Sequence, residues 1–259
     1  WMSRSPHIAD YFSIWFPNFA NEPGSEYRLI FLLTLIPGLL SVVTLAFLVR
    51  EKRRAPNHAL SFWTTIKSMP PNYRAFLLAV GLFGMADFAP TLMILRASTT
   101  LTSQMGILEA ARFAALLYII RNITYAAASY PIGSFSHLFS RSKYLAVGYG
   151  IAVFTFLGFA FAMPSLSWFV VIFILSGIFI AWEDTIEGIA VRDYVGDDIA
   201  GTAYGVMGVV NGIGDLVSSI VVGFLWTAVG GTWGFVYAAV IGLAGTILML
   251  RVPKAALVK

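Results

Sequence analysis

Long apolar runs constrain this chain more than any other feature of its sequence. A helix needs about 20 apolar residues to cross the hydrocarbon core of a bilayer, and seven runs of roughly that length or more occupy most of the 259 residues. The composition agrees, because 58% of the residues are hydrophobic and only 12% are charged. The runs lie at about 29–50, 73–96, 107–133, 143–163, 166–191, 199–228 and 231–251. We therefore predict an all-α membrane protein with seven transmembrane helices.

The basic residues are unevenly distributed between the two sides that this topology defines. Of the 17 Lys and Arg residues, twelve fall on the side that holds the C-terminus and the loop after the first run. The positive-inside rule makes that side cytoplasmic. We predict a protein of the plasma (inner) membrane with its C-terminus in the cytoplasm. Because residues 1–26 lack the apolar run of a signal peptide and the chain begins with Trp1, we expect a fragment of a longer protein.

The runs divide the chain into four parts. We predict an extracytoplasmic segment at 1–28, one transmembrane helix at 29–50, a cytoplasmic linker at 51–72 and a six-helix transmembrane domain at 73–259. The linker begins with a basic cluster and then carries spaced apolar residues, among them Trp63. This pattern fits a helix lying on the inner leaflet, and it fits a solvated linker equally well.

A weak internal repeat runs through the six-helix domain. Residues 81–96 (GLFGMADFAPTLMILR) and 177–192 (GIFIAWEDTIEGIAVR) share Gly, Phe, an acidic residue and Arg at matching positions. The offset of 96 residues spans three helices, so the two copies would cross the membrane in opposite directions. Inverted three-helix repeats are the construction plan of many secondary transporters. Chance similarity over so few positions remains an alternative.

Ionisable and amide side chains inside the apolar runs are the main indication of function. Charged groups in hydrocarbon are costly and usually face a cavity or a partner. Our candidates for binding a solute or protons are Asp87, Arg121, Glu183, Asp184, Asn211 and Asp215. Arg121 alone cannot neutralise four carboxylates, so we favour this role over a set of purely structural ion pairs. A carboxyl group removed from water favours its neutral form, which suits reversible proton binding.

Further residues suggest a pocket and a bend. Tyr118, Asn122, Tyr125 and Trp182 lie near the charged positions and are candidates to line a pocket. Pro90, just after Asp87, should kink the second helix.

Other chemistry is not indicated. The chain has no cysteine, and His7, His58 and His137 lie outside the apolar runs, so we expect no metal site. No phosphate-binding loop or nucleophile elbow is present, so we expect no cofactor and no enzyme. The expected partners are the lipid bilayer, a small solute and protons, and no nucleic acid.

Two loop motifs carry a resemblance to a known family. Residues 130–143 (YPIGSFSHLFSRSK) resemble the cytoplasmic loop motif G-x-x-x-D-R-x-G-R-R of the major facilitator superfamily, with Gly133 and Arg141 retained. Residues 187–205 (EGIAVRDYVGDDIAGTAYG) are similar to that family's turn between its tenth and eleventh helices. The chain thus resembles the C-terminal half of such a transporter, preceded by the last helix of the N-terminal half.

The resemblance implies a mechanism and a partner. A solute would bind between two six-helix halves by alternating access, and the N-terminal half would be the missing partner. The gating loop would include Gly133, His137 and Arg141. His137, Leu138 and Ser140 stand where the family has Asp, Arg and Gly, which weakens the expectation of a charge-based lock in that loop.

We therefore expect a proton-coupled secondary transporter of a small organic solute such as a drug or metabolite. A seven-helix receptor without transport activity is the alternative. A retinal protein is disfavoured because residues 231–251 contain no Lys. A half-length chain that pairs with a copy of itself or with a separate N-terminal half also remains open.

Overall fold

The structure, a computed structural model, describes residues 25–48, 66, 68–196 and 198–253, and the regular secondary structure of these residues is all helical. It contains α1 (Ser25–Leu48), α2 (Pro71–Gly84), α3 (Thr91–Met105), α4 (Ile107–Phe135), a short 3-10 helix (Ser136–Leu138), α5 (Arg141–Ala160), α6 (Leu166–Tyr194), α7 (Ala200–Ala228) and α8 (Gly231–Arg251). Two compact units divide the chain, residues 1–56 and 57–259, and each is described by itself.

The first unit is described over α1. This helix has 24 residues with Pro37 in its interior, and at 1.5 Å per residue it is about 36 Å long. Its described large apolar side chains, such as Leu39 and Phe47, are about half exposed or more, as is usual for a helix that is apolar around its whole circumference and meets lipid or protein. The predicted segment 1–28 and the predicted linker 51–72 lie almost wholly outside the described residues.

Most helices of the second unit match the apolar runs closely. α5, α6, α7 and α8 are long and apolar enough to cross a membrane, and each begins and ends within a few residues of its predicted run. α4 has 29 residues and coincides with the third run, but it is more polar. The protein is thus all-helical with four clear candidate spans among the described residues, and the full count of seven stays a prediction.

The second predicted run is not one helix, which corrects the sequence analysis. We predicted a helix at 73–96 with a kink at Pro90, whereas α2 ends at Gly84 and α3 begins at Thr91. The backbone from Met85 to Pro90 is non-helical, and we name this stretch the break. Pro90 lacks the N–H of a helical hydrogen bond, and it disfavours helical geometry in the residue before it. The matching copy of the predicted repeat lies in the unbroken α6.

α5 lies at the centre of the second unit. It packs against α6 on one side and α8 on the other. Its Tyr149, Phe156 and Phe159 are fully buried, and the Tyr149 ring stacks on Phe83 of α2 with 3.6 Å between centroids. These large aromatic rings supply much of the apolar area that α5 buries against its neighbours.

α2 and the break run alongside α7 in a constant register. The Tyr73 hydroxyl donates to the Ala203 carbonyl at 2.7 Å, and the Ala89 N–H donates to Ser219 Oγ at 3.4 Å. Both pairs are 130 residues apart, as are Gly84 and Gly214, where a Cβ on Gly214 would lie 2.8 Å from the Gly84 carbonyl carbon. The break therefore lies against the middle of α7, held close by two glycines.

Candidate functional site

Five carboxyl groups of the second unit gather where α6, α7 and the break meet. Asp87 comes from the break, Glu183, Asp184 and Glu187 from α6, and Asp215 from α7. Their charges act on one another: Asp87 is influenced by Asp215, Asp184 and Glu187, and Glu183 by all four others. The sequence predicted a functional role for four of these five groups, and the fold brings those four together.

Glu183 is buried with little to compensate its charge among the described residues. Its side chain is 6% exposed, and its Oε2 atom has no hydrogen-bond partner among the described residues. No described cation lies within salt-bridge distance of it. A buried carboxylate with neither a donor nor a counter-ion is strongly destabilised relative to its neutral form. Glu183 is therefore the least compensated acidic group of the cluster.

Glu187, one turn further along α6, has the opposite environment. It is 2% exposed, and both of its oxygens are bonded. The Tyr149 hydroxyl donates to Oε1 at 2.5 Å, and the Asn211 amide donates to Oε2 at 2.8 Å. These bonds join α5, α6 and α7, so Asn211, predicted as a binding residue, holds Glu187 in place.

Arg121 of α4 is buried but is not the ion-pair partner of these acids. The residue is 6% exposed, its Nε donates to Ser176 Oγ at 2.9 Å, and its Cζ lies 5.7 Å from the centre of the Tyr118 ring. Among the described residues no carboxylate lies within 4.0 Å of it, since the ion pairs found there join Arg112 to Glu109 and Arg141 to Asp193. Arg121 nevertheless acts electrostatically on Asp87.

Asp87 and Asp215 lie at the edge of the cluster. Asp87 is half-buried within the break and Asp215 is exposed on α7. Neither carboxylate receives a hydrogen bond from the described residues, although the backbone N–H of Asp87 donates to the Gly84 carbonyl at 3.0 Å.

The predicted pocket residues fall into two places. Tyr125 donates its hydroxyl to the exposed Asp184 at 2.9 Å, and Asn122, one turn from Tyr118, uses its amide to bond the Tyr118 carbonyl at 2.8 Å. Trp182 instead packs on α5, with its ring 4.8 Å from that of Tyr144. The structure thus groups Tyr118, Asn122 and Tyr125 on α4 but does not bring Trp182 beside them.

The predicted gating loop makes contacts that the sequence did not indicate. Arg141 Nε donates to Asp193 Oδ2 at 2.8 Å, and Ser142 exchanges a hydrogen bond with the Tyr194 hydroxyl at 2.5 Å. These bonds join the start of α5 to the end of α6, so the two loop motifs meet. His137 is exposed, with its ring Nδ1 2.7 Å from the Ser134 carbonyl, and Gly133 lies against Thr185.

Three contact residues were missed from the sequence: Tyr149, Ser176 and Asp193. Tyr149 and Ser176 each place one hydroxyl in an otherwise apolar stretch, and a buried hydroxyl there needs a partner. That pattern was a usable signal, although it does not say which helix supplies the partner.

An open apolar groove lies beside the cluster. It has a volume of about 630 Å³ and runs between α2 and α7, lined by Arg74, Leu77, Leu78, Gly81, Leu82, Met85 and Val210. None of the five carboxyl groups lines it. Within the described ranges no three His, Asp or Glu side chains form a metal-binding group.

Comparison with known proteins agrees with the loop motifs. The sequence profile of the Major Facilitator Superfamily matches residues 97–258. The chain is 30% identical over 228 residues to an uncharacterised MFS-type transporter of Methanocaldococcus jannaschii, an alignment that covers 87% of this chain and 56% of the relative. The chain therefore spans about half the length of the curated relative that it matches. These matches do not favour a receptor, and members of this family are generally not enzymes. The chain belongs to the major facilitator superfamily, a family of membrane transporters, as its loop motifs indicated.

Proposed function

We propose that this chain forms part of a secondary transporter that moves a small organic solute, such as a drug or metabolite, in exchange or in company with protons. The observation that carries the proposal is the buried Glu183, whose Oε2 has no partner among the described residues. Its neighbours are acids, and Glu183 is acted on by Asp87, Glu187, Asp184 and Asp215. Repulsion between them is relieved when one binds a proton.

Alternating access would determine on which side of the membrane Glu183 binds and releases its proton. When Glu183 is enclosed, it holds the proton because no donor or cation of the described residues compensates its charge. When the cavity opens to water, hydration stabilises the carboxylate and the proton leaves. If solute binding changes the side of the membrane to which the cavity opens, the movement of the solute is coupled to the movement of the proton. The bonded Glu187 stays in place during this cycle.

Exposed acids indicate which face of the unit lines the cavity. Asp184 and Asp215 are exposed, and a charged group facing lipid is expensive, so their face borders water or protein. We propose that the N-terminal half of the complete transporter covers this face. The solute would bind between that half and the second unit of this chain, near Tyr125 and Asp184, with Arg121 as a nearby cation.

The membrane arrangement is also a proposal. We place the chain in the plasma (inner) membrane with seven crossings, α2 and α3 together forming one of them, and with the six-helix domain arranged as two inverted three-helix repeats. Trp168, Trp226 and Trp233 support this because all three lie in the terminal turn of a helix at one end of the unit, as interfacial Trp residues do. The loop holding Arg141 would be cytoplasmic, on the side of the C-terminus.

Proton flux into proteoliposomes tests the proposed function. The complete reading frame would be reconstituted with a pH-sensitive dye inside, and a panel of sugars, amino acids and amphiphilic drugs would be added outside. We expect at least one solute to move protons, and Glu183→Gln to reduce the solute-driven proton flux about 100-fold or more, since the proposed carrier of the proton is gone.

Glu109→Gln is the matched control. Glu109 is an exposed residue of α4 that pairs with Arg112 at 2.8 Å, and its loss should leave the proton flux unchanged. Undiminished flux in Glu183→Gln would overturn the role of Glu183, and solute transport without any proton movement in the wild type would overturn proton coupling.

A further inference from the structure

We propose that the break, together with the facing surface of α7, forms a binding site for a sodium ion. The site would use carbonyl oxygens of residues 85–88, the carboxylate of Asp87 and the hydroxyl of Ser218, with Asp215 at its mouth. This goes beyond proton coupling, because it assigns a second ion to Asp87 and the break, at the edge of the cluster that contains Glu183.

The break leaves a group of oxygens without donors. The carbonyls of Met85, Ala86, Asp87 and Phe88 accept no hydrogen bond from the described residues. They follow directly on the end of α2 at Gly84, where the helix dipole adds negative potential. Unwound carbonyls and helix C-terminal ends at membrane depth are the groups that coordinate sodium ions in discontinuous transmembrane helices.

Three residues of α2 and the break each contact the residue of α7 that lies 130 positions later in the chain. This relation places Asp87 opposite two oxygen-bearing side chains of α7. Gly84 lies against Gly214, and Ala89 bonds to Ser219. Asp87, between Gly84 and Ala89, therefore lies opposite the stretch between Asp215 and Ser218. The electrostatic influence of Asp215 on Asp87 agrees with this placement.

Ser218 provides an independent indication of a ligand. It is fully buried, at 0% exposure, and its hydroxyl has no partner among the described residues. Several other helical hydroxyls of this chain bond the carbonyl four residues earlier, as Thr155 and Thr246 do. Gly214, one turn before Ser218, contacts the break, so the same face of α7 directs the Ser218 hydroxyl toward it. A buried hydroxyl that takes no such bond is unusual and calls for a partner.

The types of oxygen atom in the proposed site indicate which class of ion it would bind. Carboxylate, carbonyl and hydroxyl oxygens are hard ligands, which disfavours a transition metal. One half-buried carboxylate with neutral oxygens balances a single positive charge, whereas calcium prefers several carboxylates. Within the described ranges no group of three acidic or His side chains is present to hold a metal of that kind. The oxygens therefore fit a monovalent cation, and we assign sodium because unwound carbonyls of discontinuous transmembrane helices coordinate that ion.

Sodium binding is measured on the purified protein, so the test does not depend on proton-coupled transport. The product of the complete reading frame would be heated in sodium chloride and in choline chloride at equal ionic strength, with tryptophan fluorescence reporting unfolding. We expect sodium to raise the unfolding midpoint by a few degrees. Ser218→Ala and Asp87→Asn should abolish most of this rise and weaken the binding of radioactive sodium about tenfold or more.

The behaviour of Ser218→Ala in choline separates ligand loss from general damage. Removing a buried hydroxyl that has no partner should leave stability in choline equal to the wild type or higher, while the variant falls below the wild type in sodium. Ser103→Ala, which removes an exposed hydroxyl of α3 that bonds the Thr100 carbonyl, should keep the full sodium effect.

Three results would overturn the proposal. The first is an equal unfolding midpoint in sodium and choline for the wild type. The second is a full sodium effect in Ser218→Ala, or its loss in Ser103→Ala as well. The third is stabilisation by potassium, magnesium or calcium without stabilisation by sodium.

Discussion

Two glutamates one turn apart on α6 have opposite environments. Glu187 receives bonds from Tyr149 and Asn211, whereas Glu183 Oε2 receives none from the described residues. Hydrogen bonds to a carboxylate compensate its burial, and their absence makes the charged form costly. The two residues are of the same type and both are buried, so the difference lies in their hydrogen-bond donors. For this reason we propose that Glu183 binds the proton and that Glu187 has a positioning role.

The contact between Gly84 and Gly214 should be intolerant of even one methyl group. In Gly214→Ala the new Cβ would lie 2.8 Å from the carbonyl carbon of Gly84 and 2.9 Å from its Cα. Because these are backbone atoms, the helices must separate, and we expect a loss of about 1–3 kcal/mol in the free energy of unfolding. Denaturant titration of the purified protein measures it.

Gly208→Ala is the control on the same helix. Gly208 has nothing within 4 Å of its added Cβ, so the substitution should be neutral or stabilise α7 by up to about 1 kcal/mol through helix propensity. Equal stability of the two variants would mean that α2 and α7 are not in the close contact described.

Residue types and burial cost were enough to predict the acidic cluster, but not its partners. Asp87, Glu183 and Asp215 stand out because charged groups are rare in apolar runs. The partner of Arg121 is Ser176, 55 residues away, and nothing local in the sequence indicates such a pair. Partners across helices depend on the rotation of each helix about its axis, and tertiary packing sets that rotation.

At the scale of helices, hydropathy predicts well where a helix begins and ends, but poorly whether an apolar run forms one continuous helix. The ends of α5 to α8 follow the apolar runs, because a run ends where polar residues reach the interface. The break between α2 and α3 stays apolar in composition, with Met85, Ala86, Phe88 and Ala89 around Asp87, so it does not interrupt the run. Pro90 indicated that the helix is distorted near this point. The length of the non-helical stretch depends on how its backbone packs against α7, which the sequence does not show.

The two loop motifs show the same limit. Gly133 and Arg141 are recognisable from the spacing of the first motif, and Asp193 belongs to the second. Their direct contact, through Arg141 and Asp193 at 2.8 Å, follows from the antiparallel packing of α5 on α6. Motifs far apart in the chain thus become one feature only in the fold.

At the scale of the whole molecule, the direction of the helices in the membrane is the main structural prediction. The chain has no cysteine, so single cysteines can be introduced into it once any cysteine elsewhere in the complete reading frame has been replaced by serine. His137→Cys and Met163→Cys lie just beyond opposite ends of α5, and both positions are exposed. In intact cells we expect a membrane-impermeant maleimide to label the cysteine at 163, and to label the one at 137 only after lysis.

The opposite labelling pattern would reverse the orientation that the positive-inside rule gives. Labelling of both cysteines in intact cells would mean that α5 does not cross the membrane. Both results would leave the family assignment untouched, because that rests on sequence.

Infrared difference spectroscopy of the reconstituted protein during a pH change measures whether Glu183 binds and releases a proton. We expect a carbonyl band of a protonated carboxylic acid that changes with pH in the wild type and in Glu109→Gln and is missing in Glu183→Gln. An unchanged band in Glu183→Gln would mean that Glu183 is not the group that binds the proton.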